Sequence, residues 1–485
     1  MYEKKDRSQQ SQIEFFCLED LVPKDHILRD IERAIDFRFI YDEVDGLYSD
    51  SERGKPGIDP VSLFKIVLIQ YLFGIRSMRQ TMKEIEVNMA YRWFIGYGLT
   101  EKVPHFSTFG KNYTRRFQGS DVFERIFMRI LYEAVNCGFI DASSVFIDGT
   151  HIKARANKKK SAKVFVPIPA KQYQDELNAE IQADRENHGK KRLKDKDDDE
   201  NPPQGKTITQ STTDPESGLF HKGEHEKCFA YVTNTACDRH NFILGYEVAA
   251  GNVNDSRLFD ELYERVVSYF PETETVAVDA GYKTPWIMKQ IIDSGRIPVV
   301  PYKRPMTKEG FFKKYEYVYD EYYECMICPG NQALGYSTTN REGYQEYKSD
   351  AKQCKVCPHL EQCTQSKAHQ KQVQRHVWES YLELADEYRH MPIYRDIYKL
   401  RSQTIERVFA DAKEKHAMRY TQLRGLQKVK MQVTLTFACM NLKKLATWKK
   451  RRGILPPVFQ RFFEKLRFCS ENWITEIEKC TLRFA

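Results

Sequence analysis

Apolar positions in the first 135 or so residues recur at helical spacing. Leu63, Phe64, Ile66, Val67, Leu68, Tyr71 and Leu72 follow Asp59-Pro60, a cap with a first-turn proline, and predict a buried helix that Gly74 ends. Ser77 and Gln80 match a capping box for the next helix. A third helix starts near Ser107-Thr108 and carries Lys111, Arg115 and Arg116 beside Phe109, Tyr113 and Phe117. Successive short helices with a basic last member suit a helix-turn-helix DNA reader, and equally a bundle with an ordinary charged face. Beyond residue 140 the apolar runs shorten to strand length. One run ends at Asp148; Phe229 to Ala236 and Phe242 to Ala249, with Asp238-Arg239-His240-Asn241 between them, predict a hairpin. Asp255 to about Phe270 fits a helix, Val276 to Asp279 a strand, Pro285 to Ser294 a helix, Pro298 to Pro301 a short last strand, and Val433 to Leu445 a buried segment.

Two stretches break this pattern. Residues from about 157 to 227 hold Lys158-Lys159-Lys160, Lys190-Lys191-Arg192 and Asp197-Asp198-Asp199-Glu200, with little apolar periodicity after Pro169. Blocks of like charge predict a mobile, solvated loop here, in preference to a track for a phosphate backbone. The second stretch, from about 307 to 389, contains five cysteines. Lys443-Lys444 and Lys449-Lys450-Arg451-Arg452 then open a basic tail over 448–485, readable as phosphate-binding or simply solvated.

Composition narrows the class. A chain of 485 residues with 41% hydrophobic and 13% aromatic residues builds real cores, in about three domains. The net charge of +8 is modest for this length, so local clusters of basic residues matter more than the total. No apolar run reaches the roughly 18 residues of a membrane span, and Met1-Tyr2-Glu3-Lys4-Lys5-Asp6-Arg7 has no apolar stretch behind it. A soluble, cytoplasmic protein with no membrane partner is expected. Twelve cysteines in such a chain point to thiols or metal sites rather than disulfides.

Candidate chemistry rests first on acids. Val145-Phe146-Ile147-Asp148 and Val276-Ala277-Val278-Asp279 each deliver an aspartate to the end of a buried strand, and Glu406 follows on a basic helix. Singly, such an aspartate usually caps a helix and such a glutamate usually sits in a solvated ion pair. Together they suit Mg2+, a hard cation that takes a few carboxylates and keeps waters for a substrate phosphate to replace. Ile405, Val408, Phe409 and Ala412 form an apolar stripe, leaving Glu406 and Lys413 on a neighbouring face roughly 10 Å apart along the axis. Lys413 is then free to meet a DNA backbone as a point charge, unless it is an ordinary exposed helix lysine.

Ala280-Gly281-Tyr282-Lys283 follows Asp279, Gly251-Asn252-Val253-Asn254-Asp255-Ser256 lies between the two aspartates, and Tyr398, Arg401, Glu406 and Lys413 punctuate the late helix. Together these resemble the bacterial insertion-sequence transposases of the DDE class, in the group with a Tyr, Arg, Glu, Lys signature around the third acid. Four residues separate Arg401 from Glu406, where the commoner signature has three; six still separate Glu406 from Lys413. The resemblance implies an α/β chain. Its ribonuclease-H-like catalytic domain would span 140–305 and 390–447, with an α-helical N-terminal domain over 1–135 that binds transposon ends, the charged insertion and the cysteine-rich insertion. It further implies Asp148, Asp279 and Glu406 as the catalytic, magnesium-binding acids, with Mn2+ as a substitute. Arg401, Lys413, Lys111, Arg115 and Arg116 become DNA contacts. Double-stranded DNA, as transposon ends and target, is the expected partner, and a homodimer on paired ends, nucleoid-associated in a bacterium, is implied. Two other readings use the same residues: a ribonuclease-H-like nuclease without strand transfer, and a catalytically inactive DNA-binding derivative, which three intact acids disfavour.

The cysteines carry a separate expectation. Cys325-x2-Cys328 and Cys354-x2-Cys357 have the knuckle spacing that brings two thiolates to one tetrahedral zinc, with Pro329 and Pro358 stiffening matching turns. Cys363 and His359 lie close enough to replace a member of the quartet. Reduced thiols packed as small hydrophobes are the competing reading.

Overall fold

The computed structural model describes residue 15 and residues 17–48, 57–167, 173–193, 205–222 and 226–454. The N-terminal region is helical. Asp59 accepts from the Ser62 amide at 2.7 Å and Pro60 occupies the first turn of the helix Pro60–Leu72, whose Leu63, Phe64, Ile66, Leu68, Ile69 and Leu72 are buried. Ser77 caps the next helix, Met78–Val87, through the Gln80 amide; the Gln80 side chain turns to Glu84, so only the forward half of the capping box forms. Ser107–Asn112 runs on as a wider turn over Tyr113–Phe117, and Val122–Asn136 completes the region.

The central sheet comprises β1 (Ser144–Lys153), β4 (Gly218–Lys222), β5 (Glu226–Cys237), β6 (Ile243–Ala250), β7 (Thr275–Val278) and β8 (Ile297–Val299). Its order is β4-β5-β1-β7-β8, with β6 also paired to β5. β5 pairs antiparallel to both β1 and β6, while β7 pairs parallel to β1 and β8 parallel to β7. Helices Phe259–Tyr269 and Pro285–Asp293 make the crossovers before β7 and β8, the second capped by Thr284 and started by Pro285. The β5–β6 turn forms where Asp238-Arg239-His240-Asn241 predicts it. Buried Asp238 accepts from the amides of Asp141, His240 and Phe242, and Asn241 takes φ +65°.

The long helix Leu426–Arg451 ties the two regions together. Its Val433, Leu435, Phe437, Cys439, Leu442 and Leu445 are fully buried in one core shared by the N-terminal helices and the central sheet. The boundary near residue 135 therefore divides chain segments, not cores. The lysines expected to open a tail belong to this helix and have partners elsewhere in the fold. Lys443 donates to Leu72 O at 3.2 Å and Lys449 to Ala34 O at 2.7 Å, each the last carbonyl of a helix that a cation stabilises. Lys450 pairs with Asp30, and Lys444 donates to His240 O, burial lowering its ammonium to about 8. Lys443, Lys444 and Lys449 are thus engaged by carbonyls inside the fold, Lys450, Arg451 and Arg452 are exposed, and residues 455–485 of the expected tail lie outside the described residues.

Both interrupting stretches are more structured than the sequence suggests. In the charged one, β2 (Ser161–Pro167) pairs with β3 (Gly205–Ser211), and the helix Gln174–Asn187 buries Leu177 and Ile181 against Trp378. Two apolar residues four apart are too weak a period to read among so many charges; Asp197 to Glu200 lie outside the described residues. The second stretch forms an antiparallel sheet in the order β13-β12-β11-β10-β9, from β9 (Val318–Asp320), β10 (Cys325–Ile327), β11 (Ala333–Thr339), β12 (Tyr344–Lys348) and β13 (Gln372–His376). The Gln174–Asn187 helix docks on it: Asp184 accepts from Gln345 at 2.5 Å, Arg185 donates to Thr338 and Thr339, and His188 stacks on Tyr336. Helix Glu379–His390 belongs instead with the central sheet, since Ala385 enters the shared core and Lys283 pairs with Asp386 at 2.6 Å. Among the described residues no helix is long and apolar enough to cross a membrane.

Candidate active site

Strand register brings the first two acids together. Ile147 of β1 lies opposite Val278 of β7 in a parallel pair, so Asp148, midway along β1 and not at its expected end, and Asp279, the residue after β7, lie side by side at the same level. Asp148 is half-buried, and Asp279 is exposed where β7 gives way to the turn Ala280–Tyr282.

Glu406 arrives on the helix Ile405–Lys415, which buries Ile405, Val408, Phe409 and Ala412, the stripe read from the sequence, and leaves Glu406 exposed in its first turn. That helix follows a short 3-10 turn, Leu400–Ser402, and Thr404 at φ −109° and ψ −100° breaks the two apart. Gly74 fixes the far end of the helix: at φ +64° it packs so closely that an added Cβ would sit 2.6 Å from Lys415 O. Buried His416, beyond that end, donates from Nδ1 to Tyr71 O at 2.7 Å, and burial lowers its imidazole to about 4.

The three acids share a field. Burial pushes the Asp148 carboxyl up; Arg401 and the Gly149 amide oppose this, and Asp279 and Glu406 reinforce it as like charges. Tyr398, pushed up by burial, feels all three acids as well as Arg401, which places it beside the group. Among the described residues no three His, Cys, Asp or Glu side chains are drawn in closely enough to hold a metal ion as they stand. A cationic side chain already engages the most buried acid: Arg401 Nη2 donates to Asp148 Oδ2 at 2.6 Å.

Arg401 and Lys413, expected as DNA contacts, both have partners within the chain. Arg401 is buried, and its planar fork reaches β1 rather than solvent. Lys413 is half-buried and donates to Thr150 Oγ1 at 2.5 Å. Asp148 and Thr150 alternate onto one face of β1, so the two cations bracket that face. The N-terminal basic residues divide as well. Lys111 and Arg115 are exposed, whereas Arg116 bonds Asn112 and covers the Tyr48 ring at 4.5 Å. Gly251, from the segment between the aspartates, allows close strand contact, for a Cβ there would lie 2.6 Å from Ala230 O.

The cysteine expectation also changes. Cys325 lies on β10 on the face opposite buried Met326, paired across to Asp320. Cys328, two residues beyond Met326, returns to the core face, where Cys363 also packs. A cavity of about 30 Å3 is lined by Cys328, Cys354, Cys357 and Cys363, with His359, and not by Cys325. The five buried residues Tyr317, Met326, Leu334, Tyr347 and Val373 also give this segment a small core of its own.

Residues 16–115 match the family described as Transposase domain (DUF772), and residues 327–446 match Transposase DDE domain. Together these two matches support an insertion-sequence DDE transposase. Glu406 falls inside the second match; Asp148 and Asp279 fall between the two, so their pairing rests on the register described above. No curated protein matches the chain. Among solved structures it is similar to one titled as the Mos1 transposase paired-end complex with left transposon end, at 12% identity over 52% of this chain and 61% of that one, TM-score 0.16. Another is titled as a piggyBac transposase synaptic complex with hairpin DNA, at 8% identity over 93% and 84%, TM-score 0.24. Likenesses this low carry no argument. The chain spans 61% of the length of the Mos1 chain it matches.

Proposed function

We propose that this chain is a DNA transposase that cleaves the ends of its own insertion sequence and joins them to target DNA at Asp148, Asp279 and Glu406. The observation that carries this reading is the parallel register of β1 and β7, which sets Asp148 beside Asp279 where β7 ends, near the helix of Glu406. Three antiparallel strands followed by two parallel ones with helical crossovers support a ribonuclease-H-like catalytic domain.

The donor set fits hard divalent cations: three carboxylates, one of them destabilised by the charge of the other two, favour added positive charge. Asp148, Asp279 and Glu406 would hold Mg2+ or Mn2+, which when bound activates an attacking oxygen and stabilises a leaving one. Arg401 opposes the upward push of burial on the Asp148 carboxyl and orients it. Lys413, anchored at Thr150, adds positive charge beside the same strand face, where a phosphodiester backbone would lie. Lys111 and Arg115 supply exposed charge for duplex DNA, and two chains on paired ends complete the proposed assembly. The test is strand transfer: the full chain given a precut end of its own element and plasmid target should yield joined product. Hydrolysis of the end without joining would replace this reading with the nuclease.

A further inference from the structure

We propose that the segment carrying the second sheet binds one structural zinc ion through Cys328, Cys354, Cys357 and Cys363. This site is separate from the acids and does not depend on the DNA reading.

Three chain segments meet at the cavity. After β10, Cys328 opens a tight turn closed by Asn331 N to Cys328 O at 2.8 Å and Cys328 N to Gln332 O at 2.9 Å. Between β12 and β13, the helix Ala351–Lys355 carries Cys354, and Cys357 N returns to Cys354 O at 3.1 Å, the turn expected of a Cys-x2-Cys knuckle. The next short helix, Leu360–Cys363, ends in the fourth thiol. Gly330 shows how near the first two segments come: a Cβ there would sit 3.6 Å from Cys328 Sγ and 3.7 Å from Cys357 Sγ. The cavity between the four thiols, about 30 Å3, has room for one small ion.

The surroundings suit a tetrathiolate. Four thiolates on Zn2+ carry a net negative charge, and polar groups already face the sulfurs. The Tyr317 hydroxyl lies 3.3 Å from Cys363 Sγ, the Ser349 hydroxyl 3.2 Å from Cys354 Sγ, and Lys371, at the cavity wall, donates to Cys363 O at 2.9 Å. Such outer groups orient thiolates and offset their charge. The four cysteines line one cavity, but among the described residues no three such side chains yet converge closely enough to hold an ion. Side-chain rotation onto a common ion, at zinc–sulfur distances of about 2.3 Å, is what the metal adds. It would cross-link the β10 turn to the helical link between β12 and β13, across a core of only five buried residues. His359 lines the rim, and with four thiolates in place it is not needed as a ligand.

The test uses the full chain purified reduced and without chelator. Elemental analysis should give about one zinc per chain. Cys328→Ser and Cys363→Ser should lose it, while Cys325→Ser and His359→Ala keep it. Because a serine variant can lose zinc by misfolding, the wild-type chain reloaded with Co2+ supplies a second readout: strong thiolate-to-cobalt charge-transfer absorption with a tetrahedral ligand-field band. Folded, reduced protein without zinc would overturn the proposal. So would zinc that Cys325→Ser abolishes while Cys363→Ser retains it, a cobalt spectrum without thiolate absorption, or native Cys354–Cys357 disulfide.

Discussion

Arg401 holds Asp148 through Nη2 to Oδ2 at 2.6 Å, while its other terminal nitrogen, Nη1, is buried without a hydrogen-bond partner. A buried guanidinium half-satisfied beside a cluster of acids is expensive to maintain, and a phosphate oxygen arriving at that cluster would complete its fork. Arg401→Ala should leave the half-buried Asp148 without its opposing charge, raising its carboxyl further. The expected result is a cleavage rate whose acid limb moves to higher pH, with stability lower by about 1–3 kcal/mol. An unchanged pH profile in cleavage assays would remove Arg401 from this role.

Gly74→Ala tests the tether between the N-terminal helices and the helix of Glu406. A Cβ at φ +64° and 2.6 Å from Lys415 O is strained twice over, and a loss of about 1–3 kcal/mol in chemical denaturation is expected, with slower cleavage. Stability equal to the parent would mean that the contact yields easily.

His416 gives a pH signature of folding. Its imidazole is lowered to about 4 by burial, against 6.5 for the free group, so the unfolded chain binds a proton first as pH falls. The stability contributed by neutral His416 is complete above about 6.5 and is lost between there and about 4, to the extent of about 3 kcal/mol. Asp238 and Asp260, each raised to about 6 by burial, slope the other way in part of that window, so the quantity to measure is the difference between wild type and His416→Gln. That difference should shrink from pH 7 to pH 4; a constant difference would contradict the assignment.

For DNA binding, Lys111→Ala and Arg115→Ala in the full chain should each weaken binding to duplex ends, with the salt dependence of affinity shallower by about one counterion. Arg116→Ala should act more on stability, through the lost contacts with Asn112 and Tyr48. Fluorescence anisotropy across salt concentrations separates the cases.

Strand and helix periods made most of the site's frame legible. The apolar runs before Asp148 and Asp279, the β5–β6 turn and the stripe beneath Glu406 are all local patterns, and each formed where its period placed it. What depends on distant partners was hidden. Nothing local tells that Arg401 turns inward to Asp148, 253 residues away, or that Lys443 and Lys449 end on helix carbonyls and not in solvent. The Gln174–Asn187 helix was masked because its docking uses Asp184, Arg185 and His188, charged residues that read as solvated until a sheet is set against them. Cys325 is a different case: the alternation along β10 turns it from the core face of Met326, which knuckle spacing alone does not show.

The central claim is that Asp148, Asp279 and Glu406 perform divalent-metal-dependent DNA cleavage together. The most direct measurement is strand cleavage of the element's own end by the full chain, with and without Mg2+ or Mn2+, comparing Asp148→Ala, Asp279→Ala and Glu406→Ala under conditions where each binds the end. Because these acids contribute at the reacting centre rather than to core packing, each change should lower cleavage by orders of magnitude while end binding and thermal unfolding stay near wild type. Cleavage that persists in Asp148→Ala or Glu406→Ala, or that proceeds equally in chelator, would contradict the account.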